Sequence, residues 1–183
     1  MTSPVICQDR NVSNCIITAI DVRFRLVRDI LGIPLYHAYI LATIMEDGPP
    51  RAFSAACSVM PPDFVKHAIL DFFGVMLGSP FGYLRAVAIG NKFVKGAPDY
   101  PMFPFEPSLN ISIPPDFPLP RIFENLAETS RKIEGLQLRF HPLGQNSNSF
   151  IYTLLLRSGL FPTKSHLPKP PVRAPGWGRD LLF

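Results

Sequence analysis

PLYHAYILATIM, residues 34–45, decides the fold class. Its side chains alternate: Tyr36, Ala38, Ile40 and Ala42 project to one side, His37, Tyr39, Leu41 and Thr43 to the other. A two-residue period is that of a strand lying in a sheet. Upstream, CIITAIDVRFRLV (15–27) has the same character, with Val22, Phe24 and Leu26 opposite Arg23 and Arg25. Gly32 and Pro34 mark the turn between the two. EDGPP (46–50) marks the next, and RAFSAACSVM (51–60) reads as a third strand. Strands joined this closely form an antiparallel meander.

Downstream the pattern changes. Pro61, Pro62 and Asp63 open a helix that runs to about Leu77. Proline fits the first turn, where its missing N–H is not needed, and aspartate suits the positive end. Gly78, Ser79 and Pro80 stop it, and YLRAVAIGNKFV (83–94) returns to a strand. Residues 96–120 carry eight prolines and read as an irregular linker. FENLAETSRKIEG (123–135) is expected to be an exposed helix, and LQLRFHPLG (136–144) a short strand leading to a loop. GQNSNSFIYTLLLRSGL (144–160) is a helix introduced by polar residues and ended by Gly159. The expected architecture is α+β: an antiparallel β-sheet with helices packed on it. One domain covers residues 1–160, and a proline-rich tail wraps over 161–183.

Composition sets the outer limits. Hydrophobic residues make up 47% of the 183 positions and charged residues 17%, enough apolar material for a real core. The net charge of +4 is spread out, with no Lys/Arg run longer than two, so nucleic acid is not an expected partner. Lys164, Lys169, Arg173 and Arg179 form a loose basic tail that reads as solvated. Cys7, Cys15 and Cys57 include no CxxC pair, so no metal site and no cofactor are expected. Cys7 and Cys15 are close enough in sequence to pair, but reduced thiols are the default. MTSPVICQDRNVSNC lacks the pattern of a Sec signal peptide. The expected location is the cytoplasm, or outside it by a route without that signal. Residues 67–90 are the most apolar stretch. Asp71, Pro80, Arg85 and internal glycines break it too often for a spanning helix, while docking to a membrane surface stays open.

The tetrad Asn146, Ser147, Asn148 and Ser149 stands directly before the last helix. One such residue is sufficient to cap a helix, since its side-chain oxygen accepts from the unpaired N–H groups of the first turn. The same geometry suits chemistry. A hydroxyl at the positive end of a helix can attack a carbonyl, and nearby amides can hold the charge that develops on the carbonyl oxygen. Serine then needs a base, most often histidine. His37 is the candidate by position, on a strand face where an apolar side chain would be usual. His67, His141 and His166 read as helical, loop-shaping and tail residues. Asn146 and Asn148 are the candidates for the oxyanion side of the helix start.

A strand carrying histidine (LYHAYIL) followed far downstream by a helix opening NSNSF resembles the circularly permuted papain-like hydrolases. These include lecithin-retinol acyltransferase-like enzymes and bacterial cell-wall peptidases. Their helix start typically reads Asn-Cys-x-x-Phe, so Ser147 stands where the family has cysteine. NSNSFIYTLL with APGW downstream also looks like bacterial toxin-type domains that carry an Asn-Ser-Asn-Ser motif. The resemblance implies that Ser147 and His37 are catalytic and that a third group on the strand over 51–60 orients the histidine. Ser54 and Ser58 are the polar side chains there apart from Arg51 and Cys57, and neither is a carboxylate. Ser54 is the expected orienter, with Asp21 and Asp63 as substitutes that spacing does not select. Cys57, mid-strand among small apolar residues, reads as a buried inert thiol.

Two functions from different classes follow. The first is a hydrolase or acyltransferase acting on an amide or ester of a peptide, cell-wall or lipid substrate, in the role of a bacterial toxin or effector. The second is a catalytically inactive binding protein on the same scaffold, with KPPVRAPGW offering proline-rich, aromatic surface to a partner.

Overall fold

The fold is described by a computed structural model for residues 19–30, 33–43, 50–59, 81–92, 106–114 and 117–182, with positions 63, 66, 67 and 70. Five strands form one antiparallel sheet: β1 (Ala19–Ile30), β2 (Ile33–Thr43), β3 (Arg51–Cys57), β4 (Leu84–Lys92) and β5 (Ser108–Ile111). Their order is β4-β3-β2-β1-β5, so the first three make the expected meander, the fourth extends it and the fifth returns beside the first. Helices α1 (Leu119–Gly135) and α2 (Ser147–Arg157) pack on one face of it. The α+β class is therefore as read from the alternation. The helix expected from Pro61 to about Leu77 lies almost wholly outside the described residues, with Lys66, His67 and Leu70 helical.

Alternation sorts the side chains. Ile20, Val22 and Phe24 of β1, Ala38, Ile40 and Ala42 of β2, and Phe53 and Ala55 of β3 form the main core beneath the helices. Tyr39, Leu41, Ala52 and Ala88 form a smaller cluster on the opposite face. His37 stands opposite Arg25 on β1, and its ring stacks beside Tyr39 with centroids 6.2 Å apart. It belongs to the second face.

Three local expectations change. The proline-rich stretch 96–120 contains β5, which ladders to β1 from Ile20↔Ile111 to Arg23↔Ser108. An edge strand tolerates flanking prolines because only one of its sides must donate. Helix α1 begins at Leu119, with proline in its first turn, and it is not an exposed helix. Ile122, Leu126, Ser130 and Ile133 recur on one buried stripe, and Phe123 meets Phe53 edge-on at 5.4 Å. Residues 136–144 do not form a strand. Leu136 and Gln137 turn off the helix, Gln137 with φ +49, and Arg139 makes one isolated bridge to Tyr83. Two backbone bonds tie this stretch to the start of β4: Leu84 N–H to Leu138 O at 2.7 Å and Phe140 N–H to Gly82 O at 3.0 Å.

The C-terminal segment has a short 3₁₀ turn at Lys164–His166. Trp177 packs against Phe24 of β1 and Tyr152 of α2, with ring centroids 5.7 and 5.8 Å away. Asp180 is buried and accepts from Arg157 at 2.5 Å. The Leu181 N–H donates to Thr153 Oγ1 at 2.9 Å. Residues 174–182 are thus part of the folded body rather than an appendage to it.

Candidate functional site

Pairing between β2 and β3 is confined to Ile40–Ala42 against Arg51–Phe53. Toward Tyr36 on one strand and Cys57 on the other, the ladder is not continued. The start of α2 meets the sheet here. Asn148 Oδ1 accepts from the Ala38 N–H at 2.8 Å, and Asn148 Nδ2 donates to Tyr36 O at 2.9 Å. A side-chain amide therefore makes the two backbone bonds that a neighbouring strand would make, one on each side of His37.

A cavity of about 300 Å³ opens at this place. Arg25, His37, Asn146, Ser147 and Asn148 form its polar side. Val27, Leu35 and Tyr36 come from the first two strands, and Ala55, Ala56 and Cys57 from the third. Phe140 and Pro142 close it from the loop before α2. Ser147 and His37 both line this cavity although more than a hundred residues separate them in the chain. A larger groove of about 570 Å³ lies between α1 and the C-terminal residues. It holds Glu128, Lys132 and Arg157 but neither member of the serine–histidine pair, so size alone does not locate the chemistry.

The tetrad divides its work. Asn146 is the N-cap: its Oδ1 accepts from the N–H groups of Asn148 and Ser149 at 2.9 and 3.3 Å. Ser149 Oγ returns to Asn146, accepting from its N–H and donating to its carbonyl, both at 2.8 Å. The Asn146 amide also donates to Pro142 O at 2.6 Å and Pro175 O at 3.0 Å. Asn148 holds β2 and reaches the same Pro175 carbonyl at 2.9 Å. Ser147, the first residue of α2 and 6% exposed, is left at the cavity with its hydroxyl outside this cap. Both asparagines thus orient backbone, and the cap takes two of the amides that an oxyanion would otherwise meet.

Ser54 is fully buried, and its hydroxyl has no hydrogen-bond partner among the described residues. It shares its side of β3 with Ala52, the side that carries Tyr39, but it does not line the cavity. The Ser58 hydroxyl accepts from the Tyr83 N–H at 2.8 Å. Asp21 is held by Asn110 at 2.9 Å and Arg23 at 3.6 Å. It lies four residues along β1 from the partner of His37, about 13 Å away. Asp63 is exposed, and its backbone carbonyl receives the His67 N–H. His141 shapes the loop before α2, with its N–H on Gln145 O and its carbonyl on Gly144 N–H. His166 is exposed beside Thr163. Cys57 lines the cavity, and burial pushes its thiol upward from the ordinary value.

Two features escaped the sequence. One is the Pro175 carbonyl, where both asparagine amides converge. APGW is visible as a motif, but a backbone acceptor leaves no mark in residue type. The other is a polar cluster beside His37. The buried Glu106 carboxylate receives Arg25 Nε at 3.0 Å and the Tyr39 hydroxyl, and the Arg25 guanidinium lies 5.5 Å above the Tyr39 ring. Burial first, then this bond to Glu106, raises the Tyr39 phenol well above its usual range, so it remains a donor.

Among the described residues, no three His, Cys, Asp or Glu side chains cluster as metal ligands, and no helix is long and apolar enough to cross a membrane. The chain matches no family model, no curated protein and no solved structure.

Proposed function

We propose that the cavity is an acyl-transfer site in which Ser147 is the nucleophile and His37 the base. His37 takes the Ser147 proton as Oγ bonds to the carbonyl carbon of an ester or amide. The tetrahedral intermediate collapses, the bond to the leaving alcohol or amine breaks, and His37 returns the proton to it. Water or an acceptor alcohol then takes the acyl group from Ser147 by the reverse sequence. The observation that carries this reading is that Ser147, at a helix start, and His37, on a strand, line the same cavity.

The lining favours an apolar acyl group. Most wall residues are apolar, Arg25 is the cation, and about 300 Å³ is at the small end of ligand sites. A compact acyl ester or amide fits these walls better than a peptide rich in carboxylates. With two first-turn amides engaged by Asn146, the oxyanion relies chiefly on the positive end of α2. Turnover slower than that of an enzyme with a complete oxyanion hole is the consequence.

The same capping geometry favours a second reading, a binding protein that takes an apolar group and leaves it intact. A fluorophosphonate probe separates the two. Covalent labelling of Ser147 in wild-type protein, lost in Ser147→Ala with the circular dichroism unchanged, supports the catalytic reading. Folded wild-type protein that stays unlabelled across pH 6–9 refutes it.

A further inference from the structure

We infer that Asn148, held by the Pro175 carbonyl of the C-terminal segment, is a positioning residue that sets His37 against Ser147. The inference rests on the serine–histidine reading above. Asn148 follows the nucleophile directly, and its amide grips the backbone on both sides of the base, at Tyr36 O and Ala38 N–H. β2 has no β3 partner at these residues, so the grip replaces a ladder that is not there. The serine and the histidine are therefore fastened to each other through one buried side chain, rather than through the general packing of helix on sheet.

The C-terminal segment determines which way that amide faces. Pro175 O accepts from both Asn148 Nδ2 and Asn146 Nδ2, fixing each oxygen toward its own target. Gly176 makes this approach possible. Its φ is +85, and a Cβ there would lie 2.2 Å from Gly144 O and 2.8 Å from Asn146 Oδ1. Trp177, wedged between Phe24 and Tyr152, anchors the segment to the sheet and to α2 together. Residues 174–177 thus complete the site without entering the cavity.

The test compares wild type with Asn148→Ala, Asn148→Asp and Gly176→Ala, using Arg173→Ala as a tail control. Three quantities are read: the rate of fluorophosphonate labelling of Ser147, its pH profile, and hydrogen exchange at the Ala38 amide. Asn148→Asp keeps the shape and an acceptor but turns the donor that faces Tyr36 O and Pro175 O into a second acceptor. The expected result is labelling slowed at least tenfold in Asn148→Asp and Asn148→Ala. The pH profile should be displaced and Ala38 exchange accelerated, while circular dichroism stays that of the wild type. Arg173→Ala should leave all three unchanged. Gly176→Ala should slow labelling in the same direction, and it decides the matter if the Asn148 variants fail to fold. Faster Ala38 exchange with an unaltered labelling rate and pH profile would reduce Asn148 to a structural tie and overturn the inference. A wild-type protein that never labels overturns both readings, and Ala38 exchange then still reports whether the tie exists.

Discussion

Asn146 and Ser149 cap each other: Ser149 Oγ accepts the Asn146 N–H at 2.8 Å, and Asn146 Oδ1 accepts the Ser149 N–H at 3.3 Å. The reciprocal pair closes the first turn of α2 and leaves Ser147, between them, at the cavity. Removing the cap side chain should therefore be felt in stability first. Asn146→Ala loses the cap, worth about 1–2 kcal/mol, and also strips a buried donor from the Pro142 and Pro175 carbonyls. A total of about 2–4 kcal/mol is expected from urea denaturation. Asn146→Asp keeps the capping oxygen and should fall between Asn146→Ala and wild type. Equal losses for the two would mean that the amide, not the cap, carries the stability.

Ser54 gives a prediction of opposite sign. Its hydroxyl is fully buried with no partner among the described residues, and such a group pays a desolvation penalty with no return. Ser54→Ala should raise stability by roughly 1 kcal/mol, seen as a higher denaturation midpoint at constant slope. Should Ser54 orient His37 through an intervening water, the same substitution would lower both stability and Ser147 labelling. A fall in both quantities would therefore restore it as the third group.

Tyr39 makes the fold sensitive to alkali. Its folded phenol titrates above the ordinary value of 10.0, because of burial and of the bond to Glu106. The unfolded chain gives up this proton first. The stabilisation is therefore complete below about pH 10 and is lost as pH rises from there. Cys57 acts in the same direction from 9.0, in wild type and in Tyr39→Phe alike. Stability measured from pH 8 to 11 should fall more steeply in wild type than in Tyr39→Phe, the difference opening near pH 10. Parallel curves would show that the phenol is not held by this environment.

Strand alternation around Arg25 and His37 was legible because it is written in contiguous residues. A two-residue period needs no knowledge of the partner strand, and it set Phe24 against Arg25 and Ala38 against His37 within their own strands; only the pairing put Phe24 and Ala38 on one common face. The helix start at Ser147 was equally local, since asparagine and serine before an apolar run satisfy amides within the same turn.

Elsewhere the local signal was incomplete or misleading. Ser108–Ile111 lies among prolines and becomes a strand because β1 offers it an edge. Helix α1 looked exposed because its charges are conspicuous, yet Ile122, Leu126 and Ile133 are buried against the sheet. LQLRF alternates like a strand, but Arg139 makes an isolated bridge to Tyr83 in place of a ladder, and Gln137, at φ +49, turns the chain off the helix.

The sequence by itself determined the α+β class, the first two strands with their faces, and the capped helix that carries Ser147. Each of these rests on spacing or bonding within a few residues. Tertiary structure alone decided that β2 and β3 part beside His37, that Asn148 takes up the backbone bonds left there, and that the carbonyl of Pro175 aims it. Those contacts join segments more than twenty-five residues apart through backbone atoms that every residue possesses. Only the folded chain shows which of them meet.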